Sequence, residues 1–264
     1  MKLWKKMLVA SLVATCASGA FAQTKLKWAH IMETSEPFHI WSVWAASELN
    51  KRTNGKYSAD VYPASQLGKE NDLNQGLTLG TVDIIVTGAG SGIGEGFARI
   101  FGAEGAKVGV CDVNTAAAER VAKVINDNGG SAIAITADVS KRDQVKAGFK
   151  KFVDWAGTVD VLFNNAGFNK PMHLMEVTED NWNAIMNVNG LGVLICTQEA
   201  GKYMIAQKSG KIINTASIAG RQGYPAFAPY CASKFAVNAL TQATARGLAE
   251  HNITCNSFAP GVVD

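Results

Sequence analysis

From residue 82 onward the chain alternates short apolar runs with longer stretches of helical period. Val82-Asp83-Ile84-Ile85-Val86 is the first such run. Further apolar runs predict strands over 107–111, 131–137, 159–163, 211–215 and 253–258. Between them the spacing of apolar positions predicts helices reaching about residue 104, then over 116–128, 141–155, 179–207 and 229–250. Strands separated by single helices make a parallel sheet with right-handed crossovers and helices on both faces. The fold class expected is therefore α/β, a Rossmann-type doubly wound sheet whose ligands bind beyond the carboxyl ends of the strands.

The chain before residue 82 has a different pattern. A strand is predicted over 26–30. Over 36–52, Phe38, Trp41, Trp44, Ala45 and Leu49 recur at helical spacing, and the two tryptophans read as helix core. Asn54-Gly55 ends that helix, a strand follows over 57–62 until Pro63 stops it, and a second helix is predicted over 69–79. This is a βαβα segment. Ahead of it, Lys2, Lys5 and Lys6, an apolar stretch over 7–15 and Ala20-Phe21-Ala22 read as a secretory signal peptide cut after Ala22. Three divisions follow: 1–22, 23–81 and 82–264.

Composition narrows the function classes. Hydrophobic residues make up 47% and charged residues 18% of 264, which fits a folded globular chain and not a disordered one. A net charge of +3, with no basic run interleaved with aromatics, argues against a nucleic-acid partner. The signal's apolar core is too short to span a bilayer, and no other segment is long and apolar enough. His30, His39, His173 and His251 are dispersed, so no metal site is readable. Beyond Cys16, the cysteines Cys111, Cys196, Cys231 and Cys255 are scattered singly, which suits a reducing compartment. The signal peptide instead directs the chain to the periplasm.

Candidate chemistry begins after the strand at residue 82. Gly88, Ser91, Gly92, Ile93 and Gly94 belong to a glycine-rich turn that opens a helix. Glycines there let the backbone approach a pyrophosphate, and the helix N-terminus offers free N–H groups to the anion. Asp112 closes the next strand, 24 positions after Gly88, where a ribose-binding acid is expected. A carboxylate accepts from the ribose hydroxyls and repels a 2′-phosphate. Val113-Asn114 follows with no cation beside it, so NAD is favoured over NADP.

TGAGSGIG, NNAG, the serine of NTAS, YCASK and APG occur in an order and spacing that resembles the short-chain dehydrogenase/reductase family, over about 180 residues. The resemblance implies a reversible alcohol oxidation at Ser217, Tyr230 and Lys234. Tyr230 and Lys234, four apart on a helix, share a face, and the ammonium favours phenolate over phenol. By resemblance Lys234 also holds the nicotinamide ribose, Ser217 bonds the substrate oxygen, and Asn189 supports a proton-relay water. A polar residue at a helix irregularity is the rival reading of Asn189. Asp138 and Val139 would hold the adenine, Asn165, Ala166 and Gly167 would border the cofactor, and Pro260 and Gly261 would lie beside it. Ala219, Gln222, Phe227 and the loop 168–173 are candidate substrate contacts. The stretch from Ser217 to Ala249 is similar to members acting on polyols, sugar alcohols and ketols. Family relatives are cytoplasmic dimers or tetramers.

LKWAHIMETSEPFHIWSVWAASELNKRTNGKY and VYPASQLGKENDLNQGLTLGTVDI resemble the start of a periplasmic solute-binding protein of the TRAP-transporter type. Residues 82–88 fit both resemblances, which makes the chain a chimera joined at one strand. In the dehydrogenase family a threonine, a lid, a further helix and an edge strand follow the position of Asp264, so the chain reads as C-terminally truncated. On that reading it is expected to be unstable and to have little or no activity. An oxidoreductase is the expectation; the alternatives are a binding-protein fragment and an inactive chimeric product.

Overall fold

The computed structural model describes residues 24–29, 34–35, 37–62 and 82–261. The chain divides into two compact units, Met1–Leu79 and Gly80–Asp264. The signal segment and the helix expected over 69–79 lie outside the described residues.

In the first unit, β1 (Thr24–Ala29) and β2 (Tyr57–Tyr62) pair in parallel, Thr24 opposite Tyr57 and Ala29 opposite Tyr62. Helix α1 (Pro37–Arg52) connects them. Asn54 and Gly55 end it with positive φ of 49° and 79°, as the Asn-Gly pair requires. The reading of Trp41 and Trp44 as helix core is overturned. They are 65% and 53% exposed, edge to face with centroids 5.7 Å apart. Small residues one turn apart, Ser42 and Ala46, are buried in their place.

The second unit carries a six-stranded, all-parallel sheet in the order β5-β4-β3-β6-β7-β8. Its strands are β3 (Asp83–Thr87), β4 (Lys107–Asp112), β5 (Ser131–Thr136), β6 (Val161–Asn164), β7 (Gly210–Thr215) and β8 (Ile253–Phe258). The helices between them are α2 (Gly92–Ala103), α3 (Thr115–Asp127), α4 (Arg142–Ala156), α5 (Glu179–Met186), α6 (Val193–Gln207) and α7 (Ala228–Gly247).

Every residue of β3 is buried, which is why its sequence reads as a continuous apolar run. Alternate residues feed opposite cores. Ile84 and Val86 join Val108, Val110, Val121 and Ile125 on one face. Ile85 joins Phe149, Phe152, Leu162 and Ile195 on the other. Helix α3 buries Ala118, Val121, Ala122 and Ile125, a single stripe of helical period. Asn114 caps it, accepting from the Ala117 N–H at 3.1 Å.

The chain runs outward from β3 through β4 to β5, then returns to β6 on the other side of β3. The order reverses between β3 and β6, so a crevice opens at their carboxyl ends. The helix expected over 179–207 is broken where α5 meets α6. Residues Asn187–Gly192 form a π-helical turn, with Asn189, Gly190 and Gly192 buried. A Cβ at Gly192 would lie 2.7 Å from Val139 Cγ2, so this turn also seats the loop that follows β5. Helix α7 stops at Gly247, short of the expected residue 250, and a 3₁₀ turn, Ala249–His251, completes it. Among the described residues, no helix is long and apolar enough to cross a membrane.

Candidate functional site

The site is assembled from loops that leave the carboxyl ends of β3 to β7. After β3, Gly88 adopts φ +63°, and a Cβ there would sit 2.8 Å from Ala166 Cα. Only glycine fits both the left-handed backbone and the close approach of the loop after β6. The hydroxyl of buried Thr87 ties these two loops. Its Oγ1 accepts from the Asn165 N–H at 3.0 Å and the Ala166 N–H at 3.1 Å. The Asn165 amide then donates to the Gly88 carbonyl at 3.2 Å and accepts from the Thr215 hydroxyl at 3.2 Å. Gly94 packs on the same carbonyl: a Cβ there would lie 2.2 Å from Gly88 O.

These loops wall a cleft of about 630 Å³. Gly88, Ser91, Gly92 and Ile93 line it at the N-terminus of α2. Asp112, Asp138, Val139, Asn165, Ala166, Gly167, Tyr230 and Lys234 line it as well. The expected cofactor contacts Gly94, Pro260 and Gly261 are not among the lining residues. Gly94 lies beneath the loop, and the Pro260 carbonyl accepts from the Ile218 N–H at 3.1 Å. Val113, Ala137, Asn169, Val188 and Thr215 line the cleft without having been singled out individually. Thr215 had a usable signal, since it belongs to the NTAS motif. The apolar residues are set by the paths of neighbouring elements and had none.

Asp112 is held from two sides. One carboxylate oxygen accepts from the Gly90 N–H at 2.9 Å and the other from the Asn114 N–H at 2.9 Å. Asp138 accepts from both the N–H and the hydroxyl of Ser140, at 2.9 and 2.7 Å.

Helix α7 places Tyr230 and Lys234 one turn apart. The Lys234 Nζ lies 5.6 Å from the centre of the Tyr230 ring and donates to the Thr215 carbonyl at 2.7 Å. Lys234 is only 4% exposed, and this burial pushes its ammonium down to about 8, since a charge out of water favours losing its proton. Asn189 is buried on the π turn. Its side-chain oxygen accepts from the Phe168 N–H at 3.0 Å, and its amide donates to the Phe168 carbonyl at 2.9 Å and to Ser233 Oγ at 3.1 Å. The side chain thus fastens the loop after β6 to α7, and the helix irregularity expected as its rival reading is present too.

Ser217, buried just beyond β7, accepts from the Ala219 N–H at 3.1 Å. Ser217, Ala219, Gln222 and Phe227 lie outside the lining of the cleft. The loop 168–173 is joined to the 222–227 loop by the Met172 N–H, which donates to the Ala226 carbonyl at 2.9 Å. Ala226 has φ +62°, a left-handed conformation that a side chain disfavours.

Residues 83–264 match the family described as short chain dehydrogenase, and residues 28–95 match the bacterial extracellular solute-binding proteins of family 7. A 3-oxoacyl-acyl-carrier-protein reductase of Synechocystis sp. is 41% identical over 181 residues, 68% of this chain and 73% of that protein. A second, from Staphylococcus epidermidis, is 42% identical over 180 residues, 68% of this chain and 74% of its own length. Among solved structures, a gluconate 5-dehydrogenase from Burkholderia cenocepacia J2315, in complex with NADP and tartrate, superposes with a TM-score of 0.68 at 35% identity. It is matched over 70% of this chain and 73% of that one. An NAD⁺-bound xylitol dehydrogenase gives 0.67 at 33% identity, over 70% and 71%.

Proposed function

This chain belongs to the short-chain dehydrogenase family, and we propose that it interconverts a small secondary alcohol and its ketone with NAD at Ser217, Tyr230 and Lys234. The observation that carries the reading is the convergence of Tyr230, Lys234, Asn165 and Gly167 on the cleft that the α2 N-terminus and Asp112 also line.

The residues present fit a nicotinamide dinucleotide. The cleft is large enough for one. The N-terminal turn of α2 suits the pyrophosphate, Asp112 the adenosine ribose, and Asp138 and Val139 the adenine. Asn169 Oδ1 is buried on the cleft wall with no partner among the described residues, a position that a ligand donor would satisfy. Bound there, the nicotinamide would supply the acceptor or donor of a hydride. NAD is favoured because Lys234 is the sole lysine or arginine among the described lining residues, and it lies at the Tyr230 end. A 2′-phosphate would instead face the Asp112 carboxylate.

In oxidation, Tyr230 takes the hydroxyl proton as the carbinol carbon gives up its hydride. In reduction, Tyr230 returns that proton to the carbonyl oxygen. The Lys234 ammonium, fixed by the Thr215 carbonyl, stabilises the phenolate. Ser217, whose oxygen already accepts from Ala219, keeps its O–H to donate to the substrate oxygen. Asn189 holds Phe168 and the adjoining loop in place.

A small polyol, sugar alcohol or ketol is the proposed substrate, supported by the likeness to gluconate and xylitol dehydrogenases. A second reading, reduction of a 3-oxoacyl thioester, is supported by the reductases that are 41% and 42% identical. NADH fluorescence titration of the full chain, followed by turnover on a polyol and ketol panel and on acetoacetyl thioesters, tests both. Saturable NADH binding is expected, with turnover on the first panel and none in Tyr230→Phe, which should still bind NADH. Turnover on thioesters alone would move the assignment to the second reading. Undiminished turnover by Tyr230→Phe would remove Tyr230 from the chemistry.

A further inference from the structure

Beside the cleft, a cation and an anion from different helices meet on the glycine turn. Arg120 of α3 donates to both oxygens of Glu95 of α2, at 3.0 Å from Nη1 and 2.7 Å from Nη2. The same Nη2 donates to the Gly90 carbonyl at 2.9 Å. Gly90 in turn gives its N–H to Asp112. A Cβ on Gly90 would come within 2.8 Å of the Asp112 carboxylate, so no side chain separates the two. Gly90 therefore bonds the Arg120 guanidinium through its carbonyl and the Asp112 carboxylate through its N–H.

We infer that Glu95 is a specificity-determining residue: by binding Arg120 through both oxygens, it keeps that cation from serving a 2′-phosphate at the Asp112 end of the cleft. This rests on the reading of Asp112 as the acid for the adenosine ribose. The chemistry is direct. Proteins that accept the 2′-phosphate place an arginine near the ribose, and guanidinium suits a phosphate as well as it suits a carboxylate, because its planar fork bonds either in a bidentate way. Arg120 is half exposed and bonded to the glycine turn beside Asp112, but its fork is committed to Glu95. The pair is ionised at neutral pH, since Arg120 holds the Glu95 carboxyl below the usual carboxylate range. Arg99 also approaches Glu95, at 3.5 Å, one turn along α2. Removing Glu95 would change the charge at this corner by +1 and release both arginines. Arg120, which touches the glycine turn, is the one positioned to use that freedom.

An interhelix ion pair that merely steadied α2 against α3 would affect both cofactors alike. The test is therefore a ratio. NADH and NADPH affinities are measured by fluorescence titration on the unaltered chain, the Glu95→Ala variant and the Glu95→Ala/Arg120→Ala double variant, with thermal unfolding as a check on folding. Glu95→Ala should tighten NADPH relative to NADH by about tenfold, the worth of one or two charge-assisted hydrogen bonds. The gain should shrink in high salt, and Arg120→Ala in the same background should abolish it. If Glu95→Ala fails to fold, Glu95→Gln takes its place, with a smaller shift of the same sign. An unchanged ratio in folded protein that prefers NADH overturns the inference about Glu95 and leaves Asp112 as read. A gain that persists without Arg120 also overturns it. Folded unaltered protein that prefers NADPH, or binds neither, overturns the reading of Asp112 and this inference with it.

Discussion

Thr87 shows how much of the site depends on one hydroxyl. It is 2% exposed and is the shared acceptor for the backbone N–H groups of Asn165 and Ala166. Thr87→Val keeps the shape and leaves two half-buried N–H donors without this acceptor, each costing about 1 kcal/mol, the low end for an unpaired group. The variant should therefore lose roughly 2 kcal/mol or more of stability in urea unfolding and bind NADH more weakly, while Thr87→Ser should recover most of both. Lys234 poses an opposite problem, a charge held out of water. Its buried ammonium is pushed from 10.5 to about 8. Between those values the unfolded chain binds more protons than the folded one, so stability contributed by this group rises with pH from about 8 to 10.5. Below pH 8 the full cost of burying the charge is present, on the order of 3 kcal/mol. Lys234→Met should thus be more stable than the unaltered chain at pH 7 and show a flatter melting-temperature profile between pH 8 and 10.5, with catalysis lost. An unaltered profile in that variant would mean the lysine is better solvated than its burial indicates. The sequence made both Tyr230 and Lys234 legible, because their four-residue spacing determines a shared helix face. Thr87 escaped notice because its role is defined by a loop 78 residues away.

At the scale of elements, the glycine turn and α2 act as one device. Gly94 and Gly96 are both inside α2, and only Gly94 belongs to the glycine-rich motif. A Cβ at Gly94 would meet the Gly88 carbonyl at 2.2 Å, whereas nothing lies within 4 Å of one at Gly96. Gly94→Ala should therefore displace the turn and abolish NADH binding. Gly96→Ala should bind normally and gain about 0.5–1 kcal/mol in thermal or urea unfolding, from the better helix propensity of alanine. Equal behaviour of the two variants would mean the turn does not rest on α2 as described. The π turn over Asn187–Gly192 is the counterexample in legibility. Apolar periodicity predicted one long helix over 179–207 without the break, and only the rival reading of Asn189 allowed a helix irregularity there. What the break achieves is tertiary: Asn189 faces the Phe168 backbone and Ser233 of α7, two elements distant in sequence. Likewise, aromatic periodicity placed Trp41 and Trp44 in a core. Period alone does not say which face of α1 is covered, and the small residues Ser42 and Ala46 are buried instead.

At the scale of the whole molecule, two compact units match two different families, and the matched ranges overlap over residues 83–95. The overlap holds β3 and the glycine turn, so a segment that walls the cleft is matched by both families. The described residues lining the cleft belong to the second unit. Bound NADH should therefore slow amide hydrogen exchange at 88–94, 112–113, 137–139 and 165–169, and leave Tyr57–Tyr62 unchanged. Protection appearing in Tyr57–Tyr62 would show that the units are energetically coupled. The sequence by itself determined the alternation of strand and helix, the parallel sheet, the glycine turn, Asp112 and the Tyr230–Lys234 pair. Each of those is written in local spacing or in a short motif whose chemistry demands particular residue types. Only the tertiary structure decided which strands are neighbours, how Thr87 and Asn189 fasten the loops, and how Glu95 and Arg120 meet across two helices on Gly90. These are contacts between residues 21 to 79 positions apart, which follow from how helices and strands pack and leave no periodicity in the chain.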